Sequence, residues 1–588
     1  MSDYSANFPT QSPTFAFDAK AGKLDSRLSY SRSSGGTYMS SEKALSSENL
    51  VLYSNLSSGF TFGRTTLAST NNSAPDGGSD AALILETADT ATHEAYETFS
   101  CTSGQQYSFV YFFKANGRTK VVVKPQATST IANVEFDLTA VTSTVTSGSV
   151  ISHSITAIGT TGWYKCAATV TATATGTGYT QFNLVDGSGN ESYTGEVSKG
   201  VYAWGAVVSS TGQTVLNETS GSIHREYAPL LKTAAANEPR FEYAADGQSE
   251  GLLIEAQSSN LLTYSEDFSN AAYTKFYASV ESNVAMSPTG ELTTDKITES
   301  TDTGEHRVQQ NYSLTSGSAY TISVIAKAAG RNFIRLGAGN LGVLPARVSF
   351  DLSSGTIGTV SYGTGAIESL GNGYFRCSVT ATAALTSTTS FEINLMELTN
   401  TPSYTGDGYS GVLLFAAQAE QSSSMSSYIK STSSSVSRAS DSCSVATSSF
   451  GYTGGPVSVI AEANMPSDNV GSAVELSDGT SQNRASMNCR TDAAQALTVV
   501  NAGGTQAYIG NTTLRDGKRG MRIDNNNFGY VENGGTVITD TAGVVPVTDT
   551  LELGRAYNGN ELNGYLRRVS LYSVALSDVE LQSLTSNP

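Results

Sequence analysis

The chain has 588 residues, enough for roughly three to four domains. Charged residues make up 15% of it and there are 56 glycines, a composition typical of β-sandwich or fibrous surface proteins and not of helical enzymes. The net charge of −18 at pH 7, with no basic cluster, argues against binding to nucleic acid or to anionic membranes.

The N-terminus predicts no export signal. Residues 1–14 have neither a basic n-region nor an apolar h-region, and no apolar run approaches the roughly 20 residues of a membrane span. The five cysteines are an odd number without CxxC spacing, which argues against a disulfide framework. We therefore expect free thiols and assembly in a reducing cytoplasm.

The chain divides into six predicted segments. Residues 1–45 are short and irregular, too small to hold a core, and are expected to dock on something else, with a floppy tail as the alternative. The other predicted segments are repeat 1 (46–227), a linking segment (228–257), repeat 2 (258–440), a linker (441–455) and a C-terminal unit (456–588).

Repeats 1 and 2 share features at a nearly constant spacing. The spacing is 211 residues at the Asn-Leu pair, at the aromatic–Cys pair and at the Ser-Tyr-Thr-Gly turn, and 213 or 214 in between. The matched positions include Asn49 and Asn260, Trp163 and Tyr374, Cys166 and Cys377, and Ser192 and Ser403. A spacing that drifts and then recovers indicates compensating loop insertions within one fold, and therefore a duplication.

Short strands broken by Gly, Asn, Ser and Asp turns predict an all-β fold. We expect two tandem jelly-roll sandwiches followed by a lectin-like sandwich. Trp163 and Trp204 are assigned to the core. The one helix predicted is Asp578–Leu584, N-capped by Ser577.

Several motifs carry a resemblance to a known family. They are Glu238–Tyr243, Gly251–Glu255, Asn260–Ser265, Ala326–Ala328, Phe350–Leu352, Gly373–Cys377 and Tyr404–Gly408. This text resembles a module of tailed-bacteriophage structural proteins in which similar text precedes a jelly roll of the carbohydrate-binding-module type. The resemblance is strong across 238–440 and weaker across 46–227. Repeat 1 stands between two parts of the matching text as though it were inserted there.

Residues 456–588 resemble laminin-G-like, concanavalin-A-like lectin sandwiches through Leu562–Leu566 and Leu571–Ser577. The two resemblances together imply a virion surface protein with glycan-binding folds.

The sequence contains no catalytic constellation. The four histidines have no metal-ligand spacing, no nucleophile elbow is present, and the glutamates are scattered. Asp186, Glu196 and Asp407 are candidate oxygen ligands for a structural calcium ion, with turn capping as the alternative. No other cofactor is expected.

Glycan binding is the better-supported function, since sugar rings stack on aromatic side chains with polar groups beside them. The candidate residues are Tyr273, Phe276 and Tyr277 in repeat 2, and Tyr508, Asn511, Arg515, Asn525, Asn526, Asn527 and Tyr530 in the C-terminal unit. Core or rim packing is the alternative for each aromatic residue.

We therefore predict a phage virion structural protein, a tail fibre, spike or similar appendage, that binds host-surface glycan without cleaving it. Residues 1–45 would contact other virion proteins, and a homotrimer would raise avidity. The rivals are a capsid-surface or connector component that makes protein–protein contacts alone, and a polysaccharide depolymerase.

Overall fold

The computed structural model describes residues 12–128, 130–339, 345–398, 400–465, 470–490, 495–511 and 514–586. Strands and turns dominate these residues, which confirms the all-β prediction. They include one α-helix, α1 (Asp578–Thr585), and two 3-10 turns (Ala19–Ala21 and Thr447–Phe450). Ser577 caps α1 as predicted, because its hydroxyl accepts a hydrogen bond from the backbone N–H of Glu580.

The strands up to the end of repeat 1 are β1 (Phe15–Asp18), β2 (Ser29–Ser31), β3 (Gly36–Asn49), β4 (Thr61–Gly63), β5 (Thr65–Asn72), β6 (Ala81–Glu86), β7 (Thr90–Cys101), β8 (Gln106–Asn116), β9 (Lys120–Ala127), β10 (Thr130–Ile131), β11 (Asn133–Asp137), β12 (Thr142–Ser147), β13 (Ser152–Ile158), β14 (Trp163–Thr171), β15 (Gly176–Leu184), β16 (Ser192–Thr194) and β17 (Gly200–Ser209).

Those of the linking segment and repeat 2 are β18 (His224–Ala234), β19 (Phe241–Tyr243), β20 (Ser249–Ile254), β21 (Ser258–Asn260), β22 (Thr274–Phe276), β23 (Ala278–Met286), β24 (Leu292–Glu299), β25 (Thr303–Gly304), β26 (Arg307–Leu314), β27 (Ala319–Ala329), β28 (Phe333–Ala338), β29 (Ala346–Asp351), β30 (Thr356–Tyr362), β31 (Thr364–Gly371), β32 (Tyr374–Thr382), β33 (Ser387–Met396), β34 (Tyr404–Thr405), β35 (Gly411–Glu420) and β36 (Val436–Arg438).

The remaining strands are β37 (Ser442–Ala446), β38 (Val457–Asn464), β39 (Val470–Ser477), β40 (Arg484–Arg490), β41 (Gln495–Asn501), β42 (Gly504–Asn511), β43 (Asp516–Ile523), β44 (Phe528–Glu532), β45 (Ile538–Asp540), β46 (Thr550–Leu553) and β47 (Gly564–Tyr572).

Repeats 1 and 2 are sandwiches with the same strand order. In repeat 1 one sheet has the order β12-β11-β9-β15-β7-β4, with β10 also paired to β9 and β16 also paired to β7, and the other has the order β13-β14-β8-β17-β6-β5. In repeat 2 it is β30-β29-β28-β33-β26-β22 and β31-β32-β27-β35-β24-β23. This correspondence confirms the predicted duplication. Each repeat encloses its own apolar core, with Cys166 in the first and Cys377 in the second.

The third sandwich is built from distant parts of the chain. One sheet has the order β19-β20-β47-β38-β43-β44-β45, with β1 also paired to β47, and the other has the order β2-β37-β46-β39-β40-β41-β42. We call these strands the C-terminal sandwich. The described part of residues 1–45, predicted to be irregular, thus forms strands, and β1 and β2 complete this sandwich. Phe15 and Phe17 lie in its core.

Repeats 1 and 2 are therefore insertions into the C-terminal sandwich. Repeat 1 leaves and rejoins it through the antiparallel ribbon of β3 and β18, and repeat 2 through the pair β21–β36. This differs from a linear series of domains, because the linking segment 228–257 and the linker 441–455 contribute β19, β20 and β37 to the same sandwich.

A buried charged cluster joins the segments that enter and leave the C-terminal sandwich. Arg240 contacts Asp441 (Nη2 to Oδ2, 2.5 Å) and Glu255 (Nη1 to Oε2, 2.7 Å). Arg32 contacts Asp441 at 3.2 Å, and Arg438 contacts Glu255 at 3.4 Å. Burial acts to raise the pKa of Glu255, but Arg438 and Arg240 lower it to about 2. We call these five residues the arginine hub.

The two repeats also pack on each other. Trp204, 2% exposed, lies on the outside of one sheet of repeat 1, where its ring meets that of Tyr409 from repeat 2 edge-on at 5.3 Å. The ring centroid of Phe112 lies 5.4 Å from that of the same tyrosine, and Lys165 Nζ pairs with Glu281 Oε1 at 2.6 Å. Both tryptophans are buried as predicted, in the cluster between the repeats and outside the sandwich interior.

Candidate functional site

One sheet of repeat 1 presents a polar, aromatic-bearing outer face. Along β7 and β15, Ala95 and Phe182 point into the core, so the residues that alternate with them point outward. Tyr96 pairs across the strands with Gln181, and Tyr179 lies one diagonal step away. We call the outward residues Glu94, Tyr96, Lys124, Tyr179, Gln181 and Asn183 the repeat 1 face.

The two tyrosines of the repeat 1 face form a half-buried pair, with ring centroids 6.0 Å apart and planes inclined at 60°. Beside them, the Gln181 amide donates to Glu94 Oε2 at 2.7 Å and to Asn183 Oδ1 at 2.8 Å. These bonds hold the half-buried Gln181 amide and Glu94 carboxylate next to the two rings, while Asn183, which is 0% exposed, supports them from beneath. The arrangement supplies what a sugar ring needs, an aromatic surface for its C–H face and fixed partners for its hydroxyls.

A carboxylate from a loop is bound on the repeat 1 face. Glu191 accepts from Asn183 Nδ2 at 2.5 Å and from Asn133 Nδ2 at 3.0 Å, and it pairs with Lys124 Nζ at 2.6 Å. All three donors lie on neighbouring strands of one sheet.

The equivalent face of repeat 2 has a different chemistry. Its residues Phe276, Arg307, Arg335, Arg347, Glu392 and Asn394, here called the repeat 2 face, lie on β22, β26, β28, β29 and β33. The Arg307 guanidinium lies over the Phe276 ring at 4.3 Å. Arg335 donates to Asn394 Oδ1 at 3.2 Å, and Arg347 donates to Glu392 at 3.1 Å.

The end of each repeat carries a second duplicated arrangement. In repeat 1, Glu86 is fully buried and accepts from Arg118 and from the Tyr193 hydroxyl, both at 2.5 Å. In repeat 2, Glu299 accepts from Arg331 at 2.5 Å and from Tyr404 at 2.7 Å.

A histidine adjoins each of these buried pairs. Both ring nitrogens of His93, and both of His306, contact backbone carbonyls. These side chains are engaged in holding the loops at the end of each sandwich.

The predicted metal ligands adjoin these buried pairs and serve as turn and ion-pair partners. Asp186 accepts from the backbone N–H groups of Ser188 and Asn190. Glu196 pairs with Lys199 at 2.7 Å, and Asp407 accepts from the backbone of Tyr409. Within the described ranges, no group of three or more His, Cys, Asp or Glu side chains is placed to hold a metal ion. These contacts follow the turn-capping alternative.

Two aromatic glycan candidates are corrected by the structure. Tyr273 is 1% exposed and packs on Phe268 in the core of repeat 2, and Tyr530 is 2% exposed and donates to Glu532. Neither ring can stack on a sugar. Tyr273 belongs to the loop before β22 and packs in the core of repeat 2, and Tyr530 points from β44 into the core of the C-terminal sandwich. Local sequence does not reveal the burial of either ring.

The other candidates are not brought together. Tyr277, 52% exposed, is at the margin of repeat 2, and Tyr508, 55% exposed, is on the edge strand β42. Asn525 and Asn526 are on an exposed turn, where their side chains accept from Val545 and Gly543, and Asn527 follows them. The side chain of Asn511 lies outside the described residues. Among the glycan candidates, Phe276 alone belongs to either face.

Arg515 lines a cleft of about 930 Å³ between repeat 2 and the C-terminal sandwich. Glu242 lies in the same cleft, where burial raises its pKa to about 8, so this carboxyl is largely neutral at pH 7. No helix in the described part of the chain is long and apolar enough to cross a membrane.

The fold and the faces define an all-β protein of nested sandwiches, in which two duplicated sheet faces point outward. No family model and no curated protein matches the chain. The N-terminal CBM22-1-CBM22-2 tandem domain from Paenibacillus barcinonensis Xyn10C matches at 9% identity, covering 64% of this chain and 98% of that one, with a TM-score of 0.19.

An anti-sigma factor domain-containing protein matches at 10% identity, covering 63% of this chain and 93% of that one, with a TM-score of 0.12. TM-scores this low carry no inference about fold or function.

Proposed function

We propose that this chain is a non-catalytic glycan-binding protein that takes saccharides on the outer sheet faces of its repeats. The observation that carries the proposal is the Tyr96–Tyr179 pair, held beside the hydrogen-bonded row of Glu94, Gln181 and Asn183. Side chains on adjacent strands of a rigid sheet keep their spacing, which suits recognition of a ligand without its conversion.

Such a site should bind weakly by itself. A sheet face with two inclined, half-buried rings and a few hydrogen-bonding groups is expected to bind an oligosaccharide with a Kd on the order of 1 mM, or about −4 kcal/mol. Several copies facing one surface would raise avidity by roughly 10²–10⁴. We therefore retain the homotrimer as part of the proposal, to be checked by light scattering on the purified chain.

The direct test is a glycan array followed by titration of the best neutral ligand. Tyr96→Ala and Tyr179→Ala should each weaken binding by about tenfold, because each removes stacking area. Tyr227→Ala, at a side chain 59% exposed on another surface, is the matched control and should bind like the parent. Loss on Tyr508→Ala with full binding by Tyr96→Ala would contradict the proposal and point to the C-terminal sandwich.

The finer proposal, a phage tail fibre or spike that attaches to host glycan, rests on the resemblance of residues 238–440. The described part of 1–45 is paired within the chain, so a contact with other virion proteins would use the surfaces that β1–β3 leave exposed. Immunogold labelling of purified particles tests the location, and adsorption of particles carrying Tyr96→Ala tests the role.

The scaffold alternative is favoured by one observation, the extensive packing of the repeats on each other around Trp204 and Tyr409. It predicts that particles with Tyr96→Ala adsorb normally, whereas disruption of that interface by Tyr409→Ala prevents assembly. The glycan-binding proposal predicts the reverse for Tyr96→Ala.

A further inference from the structure

The two faces differ at the position where repeat 1 binds its own carboxylate. In repeat 1, Glu191 directly precedes the Ser-Tyr-Thr-Gly turn and receives hydrogen bonds from Asn183 and Asn133 and an ion pair from Lys124. In repeat 2, Pro402 precedes the equivalent turn. Repeat 2 therefore has a proline where repeat 1 has its internal carboxylate.

The donors around this position are kept or strengthened in repeat 2. Asn394 is the equivalent of Asn183, Arg347 takes the place of Asn133, and Arg335 replaces Val122. Lys124 is replaced by Gly337. The side chain of Arg347 lies across this glycine, and its Cγ is 3.0 Å from the position that a β-carbon on Gly337 would take. The position thus gains guanidinium groups as it loses its carboxylate.

Several of these donors are not used within the chain. Asn394 Nδ2 and the Nε atoms of Arg335 and Arg347 are buried and have no hydrogen-bond partner among the described residues. The unpartnered Asn394 amide is on a side chain that is 0% exposed. Buried donors without acceptors are costly, and each is satisfied most strongly by an anionic oxygen.

The balance of charge on the repeat 2 face favours an anion. Arg307, Arg335 and Arg347 face two carboxylates, Glu305 and Glu392. Arg307 and Arg335 share Glu305, at 2.7 and 3.4 Å. Burial and the neighbouring Arg347 lower the pKa of Arg335, an effect that a bound anion would relieve.

We infer that the repeat 2 face binds the carboxylate of an acidic saccharide, with Arg335, Arg347 and Asn394 as its donors and Phe276 beside the sugar ring. This inference rests on the proposed glycan-binding function and specifies its ligand class. In repeat 1 the Glu191 carboxylate occupies the place that the ligand carboxylate takes in repeat 2.

The test uses a matched pair of ligands, an oligogalacturonate and its methyl ester, which keeps the sugar rings and removes the charge. Calorimetric titration of the full chain should show the acid bound at least about tenfold more tightly than the ester, and less tightly at high salt. A sulfated oligosaccharide of equal length separates carboxylate recognition from general anion binding and should bind more weakly than the acid. Equal affinity for acid and ester would overturn the inference.

Arg347→Gln should reduce affinity for the acid at least about tenfold, since it removes a charged donor at a side chain 31% exposed. Tyr96-dependent binding of a neutral glycan by the same variant shows that the chain is folded. Glu191→Ala is the reciprocal variant and should create acid binding in repeat 1, where Lys124, Asn133 and Asn183 remain. Unchanged acid binding by both variants would also refute the inference.

Failure of the proposed function gives a different result. A chain that binds neutral glycan through Tyr96 and ignores the acid refutes the repeat 2 inference alone. A chain that binds the acid through Arg347 but takes no neutral glycan refutes the repeat 1 proposal and leaves this inference standing.

Discussion

At the scale of single residues, comparison of the two repeats identifies Glu97 as a side chain whose burial reduces the stability of the fold. It points into the core of repeat 1 at 5% exposure, and its Oε1 accepts from the backbone of Leu52 at 2.8 Å. Its Oε2 has no partner in the described part of the chain, and burial raises its pKa to about 7. Repeat 2 has Gln310 here, which accepts from Thr263 N–H and donates back to Thr263 O.

Glu97→Gln should therefore stabilise the protein at alkaline pH. Because the pKa of Glu97 in the folded state lies above its ordinary 4.5, its contribution to stability is full below pH 4.5 and lost as pH rises through about 7. The amide removes this loss, so the variant should gain about 1–3 kcal/mol over the parent at pH 8 and little at pH 4.5.

Urea denaturation at the two pH values measures this gain. Glu42→Gln, at a side chain 68% exposed, is the control and should leave the pH profile unchanged. A Glu97→Gln variant with the same pH profile as the parent would show that the carboxyl is ionised and solvated in the fold.

Residue-level prediction succeeded where a residue's neighbours along the chain determine its burial. Cys166 lies on a strand of alternating character and is buried in the core of repeat 1. It failed for Tyr273, whose burial depends on a loop closing over the core of repeat 2. Residue type alone does not determine which side of a sheet an aromatic ring occupies, so it does not separate buried from exposed glycan candidates.

At the scale of elements, strands β17 and β35 each approach a neighbouring strand very closely at one glycine. A β-carbon on Gly200 would lie 1.8 Å from the carbonyl oxygen of Ile84, and one on Gly411 would lie 1.9 Å from that of Ile297. Both contacts involve backbone, so no side-chain movement can relieve them. The equivalent requirement in both repeats explains why this glycine recurs.

Gly200→Ala and Gly411→Ala should each destabilise its own repeat by about 1–3 kcal/mol, because the strands must separate to admit the methyl group. Hydrogen exchange resolved by segment would place the loss in β6 and β17 for the first variant and in β24 and β35 for the second. Gly187→Ala, where a β-carbon meets nothing within 4 Å, is the control. Equal effects of all three variants would contradict the argument.

The sequence predicted the strands and the duplication but not the pairing of distant strands. Alternation and turn residues are local signals, and the constant spacing of matched motifs is a signal within one chain. The partner of Phe15 is Leu571, and no local pattern encodes so distant a register. The outer faces could have been found by taking alternate residues of Thr90–Cys101 and Gly176–Leu184, which place Tyr96 and Tyr179 on the solvent side.

At the scale of the whole molecule, the arginine hub ties the C-terminal sandwich to the points where the repeats are inserted. Arg240→Met would leave Glu255 and Asp441 buried without a principal cation, which costs about 3–5 kcal/mol. The pKa of Glu255 lies below its ordinary 4.5, so its stabilising contribution is present above pH 4.5 and lost as pH falls through about 2. The difference between variant and parent should therefore shrink from pH 7 to pH 3.

Chemical denaturation at the two pH values measures this difference. Arg27→Met is the control, since it breaks the exposed pair of Arg27 and Asp25 at 2.7 Å and should cost at most about 1 kcal/mol at either pH. A loss for Arg240→Met that is no larger than for Arg27→Met would mean that the hub is not what couples these segments.

The nested topology makes an unequal prediction for two deletions. Residues 50–223 can be replaced by Asn-Gly, because Asn49 and His224 are paired across β3 and β18 and a two-residue turn closes such a ribbon. The remaining chain keeps every strand of repeat 2 and of the C-terminal sandwich, so it should unfold cooperatively and retain acid binding through Arg347.

Deletion of 456–588 instead removes β47, the partner of both β1 and β20, and exposes Phe15 and Phe17. That shorter chain should aggregate or bind a hydrophobic dye, although the deleted residues lie at the end of the sequence. Circular dichroism melting and size-exclusion chromatography compare the two variants directly. If the 456–588 deletion stays monomeric with a sharp unfolding transition while the 50–223 deletion does not fold, the C-terminal sandwich is an independent terminal domain and the nesting of the repeats within it is wrong.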